Sequence, residues 1–258
     1  MKGILKLIPR NVWERIKLLY YNSNQQDYKF SFKKKLYGTM TKSWSICTNT
    51  PLYFLTKQIE RYEQFYKIKP TDNIIDAGAF DGILSLVYAE KAKHGRIFSF
   101  EPDQYNIEKI NGNFKLNISV NNIQLRNKGL WSKTGKIKFF EDGSVASSSF
   151  YKAKNSIEKI IQVIALDDFV EENKIEKIDF IKMDVEGAEL EILKGAKKML
   201  SQLKPNLSIA TYHLVEGELT YTSVENFFRE TNYPYKTVFF EDGEIITYAG
   251  PAVEKIIQ

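Results

Sequence analysis

Residues 74–82 read IIDAGAFDG, a short apolar run that stops at a glycine-bearing turn. The β-branched pair Ile74-Ile75 predicts a buried strand over 73–76, and the amphipathic run beyond the turn predicts a helix over 82–93. Gly78 and Gly82 remove side chains from the turn and the helix start, where backbone amides can then face a ligand closely. A tight strand-to-helix turn that needs glycine for geometry alone is the simpler alternative. The spacing separates the ligands. A dinucleotide site takes G-x-G-x-x-G, and the chain has G-x-x-x-G; a phosphate loop takes G-K-[ST], and Asp81-Gly82-Ile83 stands here instead. Asp76, just before the turn, disfavours a polyphosphate and favours a cationic ligand end such as an amine.

Outward from this turn, short β-rich runs alternate with amphipathic helices. Strands are predicted over 96–100, 123–127, 136–140, 160–165, 178–185 and 207–212, and helices over 104–113, 166–173 and 188–202. Strands separated by helices imply parallel β-α-β units in an α/β, Rossmann-like, doubly wound sheet. After a helix near 223–230, the runs 236–240 and 244–248 flank Asp242-Gly243 as a hairpin. FFEDG occurs at 139–143 and again at 239–243, and Asp-Gly turns account for both copies without a duplication.

The 258 residues carry 37 Lys and Arg against 32 Asp and Glu, a net charge of only +5. The distribution is uneven. Residues 1–42 sum to +8 and the remainder to −3, so a basic head joins a mildly acidic body. No apolar run reaches the length of a membrane span. The one cysteine, Cys47, excludes a disulfide framework and a cysteine-based zinc site, and two histidines exclude a His-rich metal site. The opening MKGILKLIPRNVWERIKLLYY is interrupted by Pro9-Arg10 and lacks a small-x-small cleavage site, so a signal peptide is not expected and a cytoplasmic location is. Ile4, Ile8, Val12, Ile16 and Leu19 or Tyr20 recur at helical spacing, with a helix expected over 10–21. YKFSFKKKLYG alternates as a strand, and Thr50-Pro51 opens a helix through Tyr66. Two units follow: a basic α/β extension over 1–69 and the main domain over 70–258. The extension either packs on the core with a solvated Lys face, or docks through residues 1–42 on a membrane surface or a partner protein.

Several carboxylates fall at strand ends. Glu101, in Phe100-Glu101-Pro102, sits at the tip of the second strand, where this architecture grips ribose hydroxyls. Asp184 ends a buried strand and points into the ligand crevice. Asp184 and Glu186 could together hold a divalent cation, but no third ligand at clear spacing accompanies them, so no metal is predicted. Glu189 falls in the first turn of the next helix, where dipole complementation accounts for it. His213 closes the 207–212 strand at the same edge. As a free imidazole near its ordinary pKa it could take a hydroxyl proton; a hydrogen-bonded structural histidine is the alternative. His94, in a Lys-His-Gly turn, reads as surface, and Ser147-Ser148-Ser149 as a polar loop.

IIDAGAFDG, FSFEP, IALDDFVEENKIEKIDFIKMDVEGAELEILKGAKKML and IATYH together resemble the FkbM-type methyltransferases over roughly residues 70–215, with KMDVEGAE the most distinctive part. The resemblance implies the class I methyltransferase fold, a mostly parallel seven-stranded sheet, and S-adenosylmethionine as cofactor. It implies that Gly78, Ala79 and Gly82 lie under the methionine part of the cofactor and that Asp76 orients its amino group. It further implies that Glu101, with Pro102 beside it, takes both ribose hydroxyls, that Asn127 lies near adenine, and that Asp184 borders the cofactor. Phe80-Asp81 stands where the family usually carries Asn or another small polar residue. Implied too is O-methyl transfer to a sugar, glycan or secondary-metabolite hydroxyl, with Asp184, His213 or Glu186 as catalytic candidates and no nucleic-acid partner. A non-catalytic module of this fold, binding RNA or an anionic surface through its basic head, is the rival reading.

Overall fold

The computed structural model describes residues 9–141, 148–149 and 157–257. Pro9 precedes α1 (Arg10–Asn24), where a fixed φ suits a helix start. An antiparallel three-stranded sheet follows, β1 (Lys29–Lys33), β2 (Leu36–Met40) and β3 (Ser45–Thr48) in that order. Lys34 and Lys35 join β1 to β2 at φ 52° and 65°, the left-handed geometry of a two-residue hairpin turn. The strand expected in this stretch is therefore a hairpin. A 3-10 turn over Leu52–Phe54 and α2 (Thr56–Tyr62) replace the single helix expected there.

The main sheet then begins with β4 (Ile74–Ala77), α3 (Ile83–Lys91), β5 (Ile97–Phe100), α4 (Gln104–Lys115) and β6 (Ile123–Arg126). β7 (Gly129–Leu130), β8 (Gly135–Glu141), β9 (Ser148–Ser149) and β10 (Ile157–Ile164) leave it and form a separate sheet, ordered β7-β10-β8-β9. The runs expected over 136–140 and 160–165 thus lie outside the main sheet. They pair antiparallel with each other, from Ile157 opposite Glu141 to Val163 opposite Gly135, which needs no crossover helix. The first FFEDG turn and Ser147 fall outside the described residues.

α5 (Leu166–Glu172), β11 (Phe180–Met183), α6 (Glu189–Lys194), α7 (Lys197–Leu203) and β12 (Asn206–Ala210) return the chain to the sheet. The helix expected over 188–202 is two helices, interrupted at Gly195-Ala196. A Cβ on Gly195 would lie 2.4 Å from the Trp131 carbonyl oxygen, so the chain is pressed there against the β7 segment. The chain closes with a small hairpin, β13 (Leu214–Val215) and β14 (Glu218–Leu219), then α8 (Thr220–Glu230), β15 (Tyr235–Phe239), β16 (Ile245–Ala249) and α9 (Pro251–Ile257). β15 and β16 make the expected hairpin around Asp242-Gly243.

The seven strands run in the order β15-β16-β12-β11-β4-β5-β6, with β16 antiparallel to both neighbours and β12, β11, β4, β5 and β6 mutually parallel. After β4 the chain builds outward through β5 and β6, then returns to add β11 on the other side of β4. The carboxyl ends of β4 and β11 therefore flank the point where strand order reverses, the place for a ligand crevice.

One face of the sheet is covered by an apolar core that includes Phe98, Phe100, Phe169, Ile181, Met183, Leu193 and Phe228. On the other face, Ile83, Leu86 and Val87 of α3 share a core with Tyr28, Phe30, Trp44, Ile46, Leu52 and Tyr53 of the N-terminal unit. Each such buried aliphatic or aromatic side chain contributes about 1.5–3 kcal/mol. α1 docks in an unexpected orientation. Its inward side carries buried Glu14, which accepts from Tyr53 Oη at 3.1 Å and from Lys17 Nζ at 3.2 Å, and Tyr21 stacks on Tyr53.

Candidate active site

A cavity of about 570 Å³ opens at the carboxyl ends of β4, β5 and β11, bordered by Gly78, Ala79, Phe80, Asp81, Glu101, Pro102 and Asp184 among others. Its size lies within the roughly 300–1,000 Å³ usual for cofactor sites. Gly78 takes φ +77°, and a Cβ there would lie 1.9 Å from the Asp184 carbonyl oxygen. Only glycine lets the turn after β4 pass so close to the turn after β11. Gly82 takes φ +75° at the start of α3, but a Cβ there would meet Phe114 at 2.9 Å. It faces α4 and does not border the cavity. Between the two glycines, Phe80 adopts φ +54°, and its backbone N–H donates to Glu101 Oε2 at 2.9 Å.

Glu101 is buried. Its Oε1 accepts from the Asp103 N–H at 3.0 Å and from Asn106 Nδ2 at 3.4 Å. Burial outweighs these hydrogen bonds and pushes its carboxyl up to about 7. Asp81 borders the cavity and accepts the Ile83 N–H at 3.1 Å, which starts α3. Asn127 departs from expectation. The chain turns after β6, with Lys128 N–H on the Arg126 carbonyl at 2.8 Å, so Asn127 is exposed and donates to Gln104 Oε1. Lys128 and Gly129 border the cavity in its place.

Asp76 is fully buried beneath the turn. Its Oδ2 accepts from Ser85 Oγ at 2.6 Å, and its Oδ1 lies 3.3 Å from Lys182 Nζ, directly across the β4–β11 register. Lys182 also donates to the Gly78 carbonyl at 2.7 Å and the Ala77 carbonyl at 3.3 Å. The buried pair thus holds the glycine turn from below. Sequence reasoning missed Lys182, whose signal is a lone cation inside the apolar run Phe180-Ile181-Lys182-Met183.

A second group gathers at the crevice wall. Asp184 Oδ2 accepts from Tyr62 Oη at 3.1 Å, and its Oδ1 lies 3.4 Å from His213 Nε2. Glu186 takes φ +53°, which turns its Oε2 to 3.7 Å from the same nitrogen. The other imidazole nitrogen, Nδ1, faces Glu189 Oε1 at 2.8 Å, and that oxygen also accepts the Gly187 N–H at 3.2 Å. Glu189 is fully buried, so it does more than complement a helix dipole. Burial alone would lower the His213 pKa, but the Asp184 and Glu189 carboxylates overcome it and raise the imidazole to about 10. The expectation of an imidazole near its ordinary pKa is corrected accordingly. Burial would raise Asp184, but His213, Lys182 and Tyr62 hold it down at about 2. Burial raises Glu186. His94 is exposed.

Residues 76–247 match the family described as the methyltransferase FkbM domain. The chain belongs to that family. Among curated relatives, the hexuronic acid methyltransferase AglP of Haloferax volcanii is 31% identical over 142 residues, covering 55% of this chain and 56% of that protein. The 2-O-methyltransferase NoeI of Sinorhizobium fredii is 26% identical over 169 residues, covering 58% of this chain and 68% of that protein. The chain thus spans no more than about two thirds of the curated relatives it matches. A solved FkbM methyltransferase from Methylobacillus flagellatus KT superposes with a TM-score of 0.55 at 22% identity, over 71% of this chain and 44% of that one. The strand order of this FkbM-family chain is that of the class I methyltransferase fold.

Proposed function

We propose that this FkbM-family chain is an S-adenosylmethionine-dependent O-methyltransferase acting on a hydroxyl of a sugar or glycan. The observation that carries the reading is the cavity itself, which joins the glycine turn after β4 and the buried carboxylate of Glu101 to the ionised Asp184. The residues fit the cofactor: Gly78 and Ala79 bring backbone to the cavity edge with almost no side chain, and Glu101 is anchored by two backbone amides with lone pairs to spare. The cofactor supplies a methyl group already activated on a sulfonium, so the protein mainly orients the partners. Glu101 accepts from ribose hydroxyls, and the Lys182–Asp76 pair keeps the glycine turn open. Asp184 is ionised across the neutral range and accepts the hydrogen bond of the incoming hydroxyl. A carboxylate of such low pKa takes the proton only as the O–C bond forms and the oxygen becomes acidic. His213, charged between its carboxylates, steadies Asp184 and is not itself the base in this arrangement.

The sugar acceptor is supported by the names of two relatives, a hexuronic acid methyltransferase and a 2-O-methyltransferase. Incubation with labelled S-adenosylmethionine and hexuronate-containing glycans tests it. Label should enter an alkali-stable methyl ether on the sugar; label on protein or RNA alone would overturn the sugar reading.

The second proposal concerns location. Among the described residues no helix is long and apolar enough to cross a membrane. Yet Val12, Trp13, Ile16, Leu19 and Tyr20 of α1 are all exposed and share roughly a third of the helix circumference. Arg15 and Lys17 flank that face, and residues 1–42 carry +8. This combination suits an anionic bilayer surface, where apolar side chains enter the headgroup boundary and cations face phosphates. Vesicles rich in phosphatidylglycerol should co-sediment the chain at low salt. No binding, or binding unchanged by Leu19→Glu, would remove the proposal.

A further inference from the structure

We propose that Asp184, Glu186 and His213 form a binding site for a divalent first-row transition ion, such as Mn²⁺ or Zn²⁺, at the wall of the cavity. One donor atom from each of the three lies within 4.8 Å of the others. The distances matter. His213 Nε2 stands 3.4 Å from Asp184 Oδ1 and 3.7 Å from Glu186 Oε2. Two ligand atoms each about 2.1 Å from one ion stand about 3.0 Å apart at an octahedral edge and about 3.4 Å apart at a tetrahedral one. Both observed separations are long for hydrogen bonds; the 3.4 Å one matches the tetrahedral edge, and the 3.7 Å one needs the half-exposed Glu186 side chain to close by a few tenths of an ångström.

The imidazole supplies the independent observation. His213 is 8% exposed, and neither ring nitrogen makes an aligned hydrogen bond; Nε2 is aimed into the space between the two carboxylates, at charge-contact distance from both. On the far side of the ring, Glu189 Oε1 is 2.8 Å from Nδ1 and is itself steadied by the Gly187 N–H. A carboxylate there favours a proton on Nδ1, so that an ion displacing the Nε2 proton would meet the lone pair on the cavity side, the arrangement that orients metal-bound imidazoles. Charge points the same way. Asp184, Glu186 and Glu189 surround a single imidazole, and Lys182 is engaged with Asp76 and the Gly78 carbonyl. Glu186 adopts left-handed backbone to reach the group, a geometry with a steric cost for a non-glycine residue. One imidazole with two carboxylates favours Mn²⁺ or Zn²⁺ over Mg²⁺, which prefers oxygen alone.

Three protein ligands leave coordination positions for an oxygen donor from the cavity side. That this donor is the acceptor hydroxyl rests on the proposed methyl transfer; the ion site itself does not.

Chelator-treated full-length chain, without cofactor, is titrated with MnCl₂ and followed by calorimetry and by the Mn²⁺ electron paramagnetic resonance signal, with MgCl₂ as comparison. One Mn²⁺ per chain should bind, more tightly than Mg²⁺. Glu186→Gln should weaken it at least tenfold, and Glu189→Gln, which touches no ion, by about tenfold. His213→Gln should abolish binding. Glu186 is the half-exposed member, so its variant keeps the test valid if the His213 variant does not fold. Absence of stoichiometric Mn²⁺ binding, or binding indifferent to Glu186→Gln, overturns the proposal. A chain that binds Mn²⁺ but no S-adenosylmethionine would uphold the ion site and remove the proposed activity.

Discussion

The carboxyl edge of the central sheet and helix α1 break the usual inside-outside rule in opposite directions. At the sheet edge, Asp76, Lys182, Glu101 and Glu189 are buried, each beside a named partner. On α1, Leu19 is 72% exposed while Glu14, on the inward side, is buried. Buried charges need partners, and exposed apolar stripes need a surface to meet, so both departures mark places where folding alone does not explain the residue. They differ in how deeply the fold depends on them. The edge charges are tied into strand register and turn geometry, whereas the α1 stripe is exposed and its ring contacts, Tyr20 on Tyr21 and Lys17 over Trp13, stay within the helix.

The largest expected effect follows from breaking one buried pair. Lys182→Met leaves Asp76 charged and without its cation, which should cost about 3–5 kcal/mol in chemical denaturation. Adding Asp76→Leu to that variant should recover much of the loss; no recovery would mean the pair is not the cause. Gly78→Ala comes next. Its Cβ would strike the Asp184 carbonyl at a positive φ, so stability should fall by on the order of 2–3 kcal/mol and cofactor binding should fail with it.

Glu101 separates binding from stability through pH. Its carboxyl rises from 4.5 to about 7 on folding, so the native chain holds that proton more tightly than the unfolded one. The contribution is present below about pH 4.5 and is lost as pH rises toward 7. Denaturation midpoints should fall over that window, and Glu101→Gln should flatten the fall. Cofactor affinity should move the other way, strengthening toward pH 8 as the carboxylate becomes acceptor-only, with Glu101→Gln weakening it by about tenfold, or 1.4 kcal/mol. The smallest effect belongs to α1. Leu19→Glu should shift stability by less than about 0.5 kcal/mol while reducing vesicle co-sedimentation.

The features legible in the sequence are local. Strand, glycine turn and helix at 74–82 follow from residues within one turn of each other, and so does the Asp242-Gly243 hairpin. Glu101 was legible because its position at a strand tip is set by chain order. The charge partners were not. Lys182 meets Asp76 across 106 positions and Tyr62 meets Asp184 across 122, and no periodicity encodes such pairings. Glu189 read as a helix-start acid because its partner, His213, arrives from the segment after β12. For α1, spacing revealed an apolar face but not which side docks; that is decided by Tyr53, 39 residues from Glu14. The strands β8 and β10 carry ordinary β patterns, and only their direct antiparallel pairing removes them from the main sheet.

Calorimetric titration of the whole chain with S-adenosylmethionine and its demethylated product tests the central claim most directly. One site per chain is expected, weakened about tenfold by Glu101→Gln and unchanged by Leu19→Glu. Absence of binding by both compounds in folded wild-type protein would contradict it.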